Sequence, residues 1–178
     1  MKQVQFSWQT PDPHDDIQSY DYETPAGQII VKIHGTVLSN MQWLIASSST
    51  QSSSTQARLP LPDKIQNELS NYWLNSKAEI SLPLLAQGTA FQRKVWSALR
   101  QIPLGQTKTY GELARDLNTS PRALANACRK NPFPLIIPCH RVLAKTGIGG
   151  YAGEVTGKLI AIKRALLQYE QMILDDRS

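Results

Sequence analysis

The sequence is poor in the residues that build metal centres and disulfide scaffolds. Its 178 residues include two cysteines and three histidines. Cys128 and Cys139 are too few for a stapled fold, and a single bond in a chain of this length is unusual, so both are read as free thiols of a reducing compartment. No cysteine precedes position 128, and His14 and His34 stand isolated. Zinc-ligand spacings are therefore missing, and neither a metal nor a cofactor is expected. Long apolar runs are missing too. Nothing reaches the roughly 20 residues of a membrane span, and "MKQVQFSWQTPDPHDD" has no apolar leader segment. The expectation is a cytoplasmic protein without membrane contact. With 41% hydrophobic residues the composition is that of a soluble globular chain.

Acidic residues are scarce in one half. Residues 1–86 hold five Lys/Arg against eight Asp/Glu, a net −3, while residues 87–178 hold fourteen against six, a net +8. A basic half beside an acidic one points to a polyanion partner, although a solvated basic face explains the charge equally well.

The patterning divides the chain at the same place. "IQSYDYETPAGQIIVKIHGTVLSNMQWLIA" reads as two or three antiparallel strands punctuated by Pro-Ala-Gly and His-Gly-Thr. The polar tract 47–56 follows as a surface loop. In "PDKIQNELSNYWLN" the residues Ile65, Leu69, Tyr72 and Trp73 share one helical face. "SLPLLAQG" reads as a linker. The expected architecture is an α/β N-terminal domain, a small antiparallel sheet with a helix, over 1–86, and a mainly helical domain over 87–178.

Helix starts in the second half are well marked. Thr89 with Gln92 and Thr109 with Glu112 have capping-box spacing, and Ser120 precedes Pro121 at the head of "PRALANACRKN". Two helices joined by "NTS", the second carrying Arg122, Arg129 and Lys130, suggest a helix-turn-helix whose second helix meets DNA. Helix hairpins are also ordinary packing units.

The chemistry concentrates in "NPFPLIIPCHRV", residues 131–142. A lone cysteine in an apolar run is usually a small buried hydrophobe. His140 beside Cys139 alters that reading, because an ordinary thiol is only a few per cent thiolate at neutral pH and a base speeds its reaction. Pro134 and Pro138 stiffen the segment. On the last helix Leu159, Ile162, Leu166, Tyr169 and Ile173 form an inward stripe, with Glu170 at its edge. Glu170 could orient His140, or it could be a surface residue.

"PCHRV" at 138–142, the preceding Asn131-Pro132 and Pro134, "GGYAG" at 149–153 and "KRALLQYE" at 163–170 resemble the signature of the O6-alkylguanine-DNA alkyltransferases. The similarity runs upstream through "GTAFQRKVWSALRQIPLGQTKTYGELA" and covers the C-terminal half. The resemblance implies stoichiometric repair: Cys139 takes an alkyl group from O6 of guanine, or O4 of thymine, and stays alkylated. By the same resemblance His140 would be the base, acting through a water, and Glu170 would hold it. Asn131 would brace the turn, and Tyr110 would donate a hydrogen bond to the departing base. Arg122 would fill the stack behind a flipped nucleotide, with Ser120, Ala123, Arg129 and Lys130 at the DNA. Pro134, Cys128, Val142, Tyr151 and Ala152 would shape the pocket, and Arg141 would form a structural ion pair. The implied partner is alkylated double-stranded DNA, met by a monomer that is nucleoid-associated in a bacterial cell. Ala152 stands where a Ser is common, and the stretch from Tyr151 to Glu170 is longer than usual, which bears on the range of alkyl groups accepted. Three other readings use the same parts: a lesion-binding protein without transfer, a Cys-His hydrolase, and a helix-turn-helix regulator.

Overall fold

The computed structural model describes residues 7–45, 60–74 and 82–176. The polar tract 47–56 and the side chains of Tyr72 and Trp73 lie outside the described residues. Three strands, β2 (Ile17–Thr24), β3 (Gly27–His34) and β4 (Val37–Trp43), follow one another as an antiparallel meander. β-branched and aromatic residues alternate along them, so Tyr20, Ile29, Val31, Ile33, Met41 and Trp43 all face inward. Gly27, at φ +132°, makes the first turn possible, and Thr24 Oγ1 donates to its carbonyl at 2.6 Å. A register shift between Lys32 and Ile33 lets Val37 and Leu38 both bury.

The segment read as a linker is a strand. Leu84–Leu85 (β5) lies parallel to both β4 and the short N-terminal β1 (Trp8–Gln9), giving the sheet order β1-β5-β4-β3-β2. Pro83 suggested a break, but its carbonyl accepts from Leu38 N at 2.9 Å, so the proline heads an inserted strand. Helix α1 (Asp63–Leu74) buries Ile65 and Leu69 within the core.

The C-terminal part is helical: α2 (Ala90–Arg100), α3 (Tyr110–Asp116), α4 (Pro121–Arg129) and α5 (Lys158–Asp175), with the two-residue strands β6 (Lys108–Thr109) and β7 (Val142–Leu143) paired in parallel. Both capping boxes form, and Ser120 Oγ accepts from Ala123 N at 3.1 Å. The buried residues of sheet and helices make one cluster. Trp8 of β1 reaches across it, with ring centroids 6.4 Å from both Trp96 and Phe133.

Trp96 links α2 to the end of α4. Its indole N–H donates at 2.9 Å to the carbonyl of Ala127, among the last-turn carbonyls that a helix leaves without an internal partner. Trp96→Phe keeps most of the packing but strips that carbonyl of its donor in a site with 1% exposure. A loss of about 2 kcal/mol is expected in urea unfolding, and an unchanged midpoint would show that the bond contributes nothing.

Candidate active site

The reactive segment leaves α4 through Lys130 and turns immediately at Asn131. Asn131 Oδ1 accepts from Phe133 N at 3.0 Å, and its Nδ2 donates to Ile137 O at 2.7 Å and to Cys139 Sγ at 3.2 Å. One amide thus closes the loop 131–139 on itself and touches the thiol. Residues 132–142 are all buried, and Leu135 is held at φ +80°, a strained conformation for a leucine, which the packed loop enforces. Cys139, His140 and Arg141 then form one turn of 3-10 helix. Burial pushes the Cys139 thiol up, while the Asn131 hydrogen bond and the Lys163 charge pull it down. The resting thiol is protonated.

His140 pairs with the last helix. Its Nε2 meets Glu170 Oε1 at 2.7 Å, and its Nδ1 is buried with no hydrogen-bond partner among the described residues. Burial lowers its basicity, against the pull of Glu170. Glu170 also takes Arg141 Nε at 3.0 Å to each oxygen, Arg141 Nη2 at 2.8 Å and Gly105 N at 3.0 Å. Arg141 Nη1 is spent on Ile102 O at 2.7 Å. Burial alone would raise Glu170, but the hydrogen bonds and charges of His140 and Arg141 prevail and lower it to about 2.

Sequence reasoning missed Lys163. This lysine has no exposure, yet its Nζ donates to three carbonyls, Val142 at 2.7 Å, Ile148 at 2.8 Å and Gly150 at 2.9 Å. Burial lowers it to about 8, with the two cysteines pulling it up. The buried face of α5 is Leu159, Ile160, Lys163, Leu166 and Glu170, whereas Ile162, Tyr169 and Ile173 are only half-buried. A stripe drawn through apolar residues alone is rotated from the true one. The interval of seven residues between Lys163 and Glu170, two helical turns on one face, was the available signal.

Two cavities meet at Cys139. The first, about 250 Å³, runs between Tyr110, Arg129 and the stretch Gly150–Val155. The second, about 280 Å³, lies toward β4 and includes Asn131 and Pro134. Cys128, Arg129, Cys139, Tyr151 and Ala152 border both. Tyr110 donates to Gly150 O across a long 3.4 Å, and burial with the nearby cysteines raises its phenol. Pro134, expected beside the base with Tyr151, borders only the second cavity. Val142 lines neither: its side chain is fully buried in the core and its carbonyl serves Lys163. Arg122, Lys130 and Ser120 are exposed and Ala123 half-buried, all on α4 or its ends, and none of them lines either cavity. Arg129 belongs to the walls and packs over Gly153, where a Cβ would meet its Nε at 2.8 Å.

The lowered Glu170 has a consequence for stability. A carboxylate held below its unfolded value stabilises the fold above that value, and the contribution disappears as pH falls from about 4.5 toward 2. On the order of 3 kcal/mol should be lost over that window, read as the urea midpoint by tryptophan fluorescence. Glu170→Gln should start from lower stability and depend less steeply on acid. Parallel acid profiles for the two proteins would remove Glu170 from the account.

The arrangement has known relatives. A family profile described as "6-O-methylguanine DNA methyltransferase, DNA binding domain" matches residues 90–172. The constitutive methylated-DNA–protein-cysteine methyltransferase of Bacillus subtilis is 34% identical over 158 residues, covering 84% of this chain and 93% of the relative. The enzyme of the same name from Archaeoglobus fulgidus is 39% identical over 106 residues, 58% of this chain and 71% of its own. A crystal structure of Mycobacterium tuberculosis OGT in complex with DNA superposes with a TM-score of 0.68 at 33% identity, covering 88% of this chain and 94% of that one. With this match in sequence and in fold, the chain belongs to the methylated-DNA–protein-cysteine methyltransferase family.

Proposed function

We propose that the protein repairs DNA by moving an alkyl group from O6 of guanine, and from O4 of thymine, onto Cys139 once per molecule. The observation that carries this reading is the thiol itself. It sits where two cavities meet, touched by Asn131 and backed by a buried His140–Glu170 pair. The transfer is a displacement at carbon: the Cys139 S–C bond forms as the C–O6 bond breaks, and the electron pair leaves with guanine. The thiol proton passes to His140 Nδ1 through one water; guanine leaves as an anion and takes a proton at N1 from water, and the imidazolium returns its proton to the hydroxide so formed. Glu170 keeps the imidazole turned so that Nδ1 is the free nitrogen, Asn131 steadies the sulfur, and Lys163 favours the thiolate by its charge. Tyr110, kept protonated by its surroundings, donates to the base as charge develops there. A lesion-binding protein without transfer needs none of this machinery at the sulfur.

The DNA side of the reading rests on α3 and α4, a helix-turn-helix whose second helix presents Arg122 to solvent, with Ser120 and Ala123 at its start and the exposed Lys130 just past its end. A carbon on O6 of a stacked guanine is out of reach of a thiolate set this deep, so the nucleotide is flipped out, and Arg122 fills the gap. Residues 1–86 act as the supporting domain and 87–178 as the DNA-binding, alkyl-accepting one. The protein works as a monomer in the cytoplasm, where its two free cysteines stay reduced. No helix among the described residues is long and apolar enough to cross a membrane.

Incubation with methylated duplex should raise the intact mass by one methyl group, mapped to Cys139, and Cys139→Ser should bind the duplex but gain no mass. Repeated turnover, or methyl on Cys128, would refute the assignment. Base flipping is separated from chemistry by Arg122→Ala. It should slow single-turnover repair in duplex DNA roughly ten- to a thousandfold, while a free alkylguanine base reacts at close to the wild-type rate. Equal losses on both substrates would place Arg122 in the fold or the pocket instead.

A further inference from the structure

Strand β4 holds the site through two of its residues. β5 pairs with it only at Leu38, so beyond that point the outer edge of β4 is open to another part of the chain. The reactive loop takes the edge, with Met41 N donating to Pro132 O at 2.8 Å. Pro132 follows Asn131, whose side chain donates to Cys139 Sγ at 3.2 Å. Two residues along and on the same buried face, Trp43 Nε1 donates at 2.9 Å to the hydroxyl of Tyr151. An indole N–H buried at this depth needs an acceptor, and the phenol provides it.

Tyr151 belongs to the opposite side of the reaction space. It begins a turn closed on itself: its N–H donates to Glu154 O at 2.8 Å, and its carbonyl accepts from Glu154 N at 2.9 Å. Ala152 and Gly153 between them have positive φ, the mirror-image geometry of a tight two-residue turn. All four residues border the first cavity. The orientation of the tyrosine is therefore tied to that of the cavity wall. Lys163 fixes the preceding residue by the Gly150 carbonyl at 2.9 Å, and the bond from Trp43 fixes the phenol.

Displacement at carbon is sensitive to distance. The reacting atoms must meet in line at about 3–3.5 Å, and an error of about 1 Å can cost about a hundredfold in rate. Here the loop carrying the sulfur is bonded at Met41, and the wall of the first cavity is bonded at Trp43. Alternate residues of a strand lie roughly 6.6 Å apart on one face, a spacing that the sheet keeps constant. Resting on the transfer reading above, we propose that β4 sets the separation between nucleophile and bound base, and that Trp43, acting through Tyr151, is a positioning residue for the transfer step. The sheet domain then contributes to the rate of chemistry and not to DNA binding.

The test is single-turnover methyl transfer from methylated duplex with protein in excess, resolved into a maximal rate and a half-saturating protein concentration. Tyr151→Phe deletes one hydroxyl and keeps the ring, while Trp43→Phe removes the donor. Each should lower the maximal rate about tenfold and leave the half-saturating concentration within about twofold of wild type. Because both delete the same bond, the double variant should also be about tenfold slow instead of a hundredfold. A folding defect is separated by the end point with DNA in excess, since it leaves molecules that never accept a methyl group but does not slow those that do. A wild-type maximal rate in Tyr151→Phe, a slowing carried by the half-saturating concentration, or losses that multiply in the double variant would overturn the proposal. Should Trp43→Phe not fold, the first two criteria on Tyr151→Phe decide. Wild type that transfers no methyl to Cys139 would overturn the transfer reading itself, a result distinct from an unslowed variant.

Discussion

The site depends on one buried carboxylate. Glu170, at 1% exposure, collects the Arg141 guanidinium, the His140 ring and the Gly105 amide within 3.0 Å. Taking a carboxylate and a guanidinium out of water costs several kcal/mol per ion, and only near-complete hydrogen bonding offsets it. Both Glu170 oxygens and Arg141 Nε, Nη1 and Nη2 are accordingly engaged, so the gain is in geometry more than in stability. A carboxylate that tolerates no rotation transmits none to His140. Since Cys139, His140 and Arg141 form a single turn of 3-10 helix, anchoring the second and third residues also orients the first. The ion pair expected of Arg141 is therefore inseparable from the orientation expected of Glu170.

The other buried charge on α5 sits two turns earlier and does a complementary job. Lys163 gathers three carbonyls from β7 and from the glycine-rich loop that follows it. That loop holds Gly147, Gly149, Gly153 and Ala152 at positive φ, so it has little regular structure of its own. An ammonium with three acceptors replaces the ladder that such a segment lacks. One helix therefore sets the turn that bears Cys139 through Glu170 and the loop that bounds the first cavity through Lys163. The two walls of the reaction space are held in register by a rigid spacing of seven residues.

Legibility followed sequence distance. Caps, helix starts and the turn between α3 and α4 were readable because their partners lie within three residues, as Thr109 and Glu112 do. The Cys-His segment was readable because its residue types are contiguous and rare in this chain. Most contacts across long separations were not; the pairing of His140 with Glu170, 30 residues on, was suggested by the resemblance and not by any local signal. Nothing local announces that Trp43 meets Tyr151, that Leu84–Leu85 inserts between β1 and β4, or that Gly105 caps a carboxylate 65 residues later. Lys163 fell between these cases. Its position was visible, but hydrophobic periodicity counts a lysine as solvent-facing, and only a site that supplies three carbonyls reverses the rule. Val142 failed for the opposite reason: an apolar residue next to the signature looked like pocket wall and proved to be core.

Burial also explains how a nucleophile can wait. An exposed thiol of lowered pKa would be ready at once but would be oxidised or alkylated at random. Cys139 is buried deeply enough that its thiol is pushed up, and the neighbours that favour the thiolate, Asn131 and Lys163, do not fully compensate. The same low-dielectric surroundings that suppress ionisation at rest also keep the sulfur poorly solvated. A catalyst that turned over would have to expel the thioether and restore the thiol. Of the residues that border the thiol, Asn131, Pro134 and Tyr151 offer no nucleophile for that step, and burial pushes the Cys128 thiol up. A site without a release step is compatible with a protein that needs to react once.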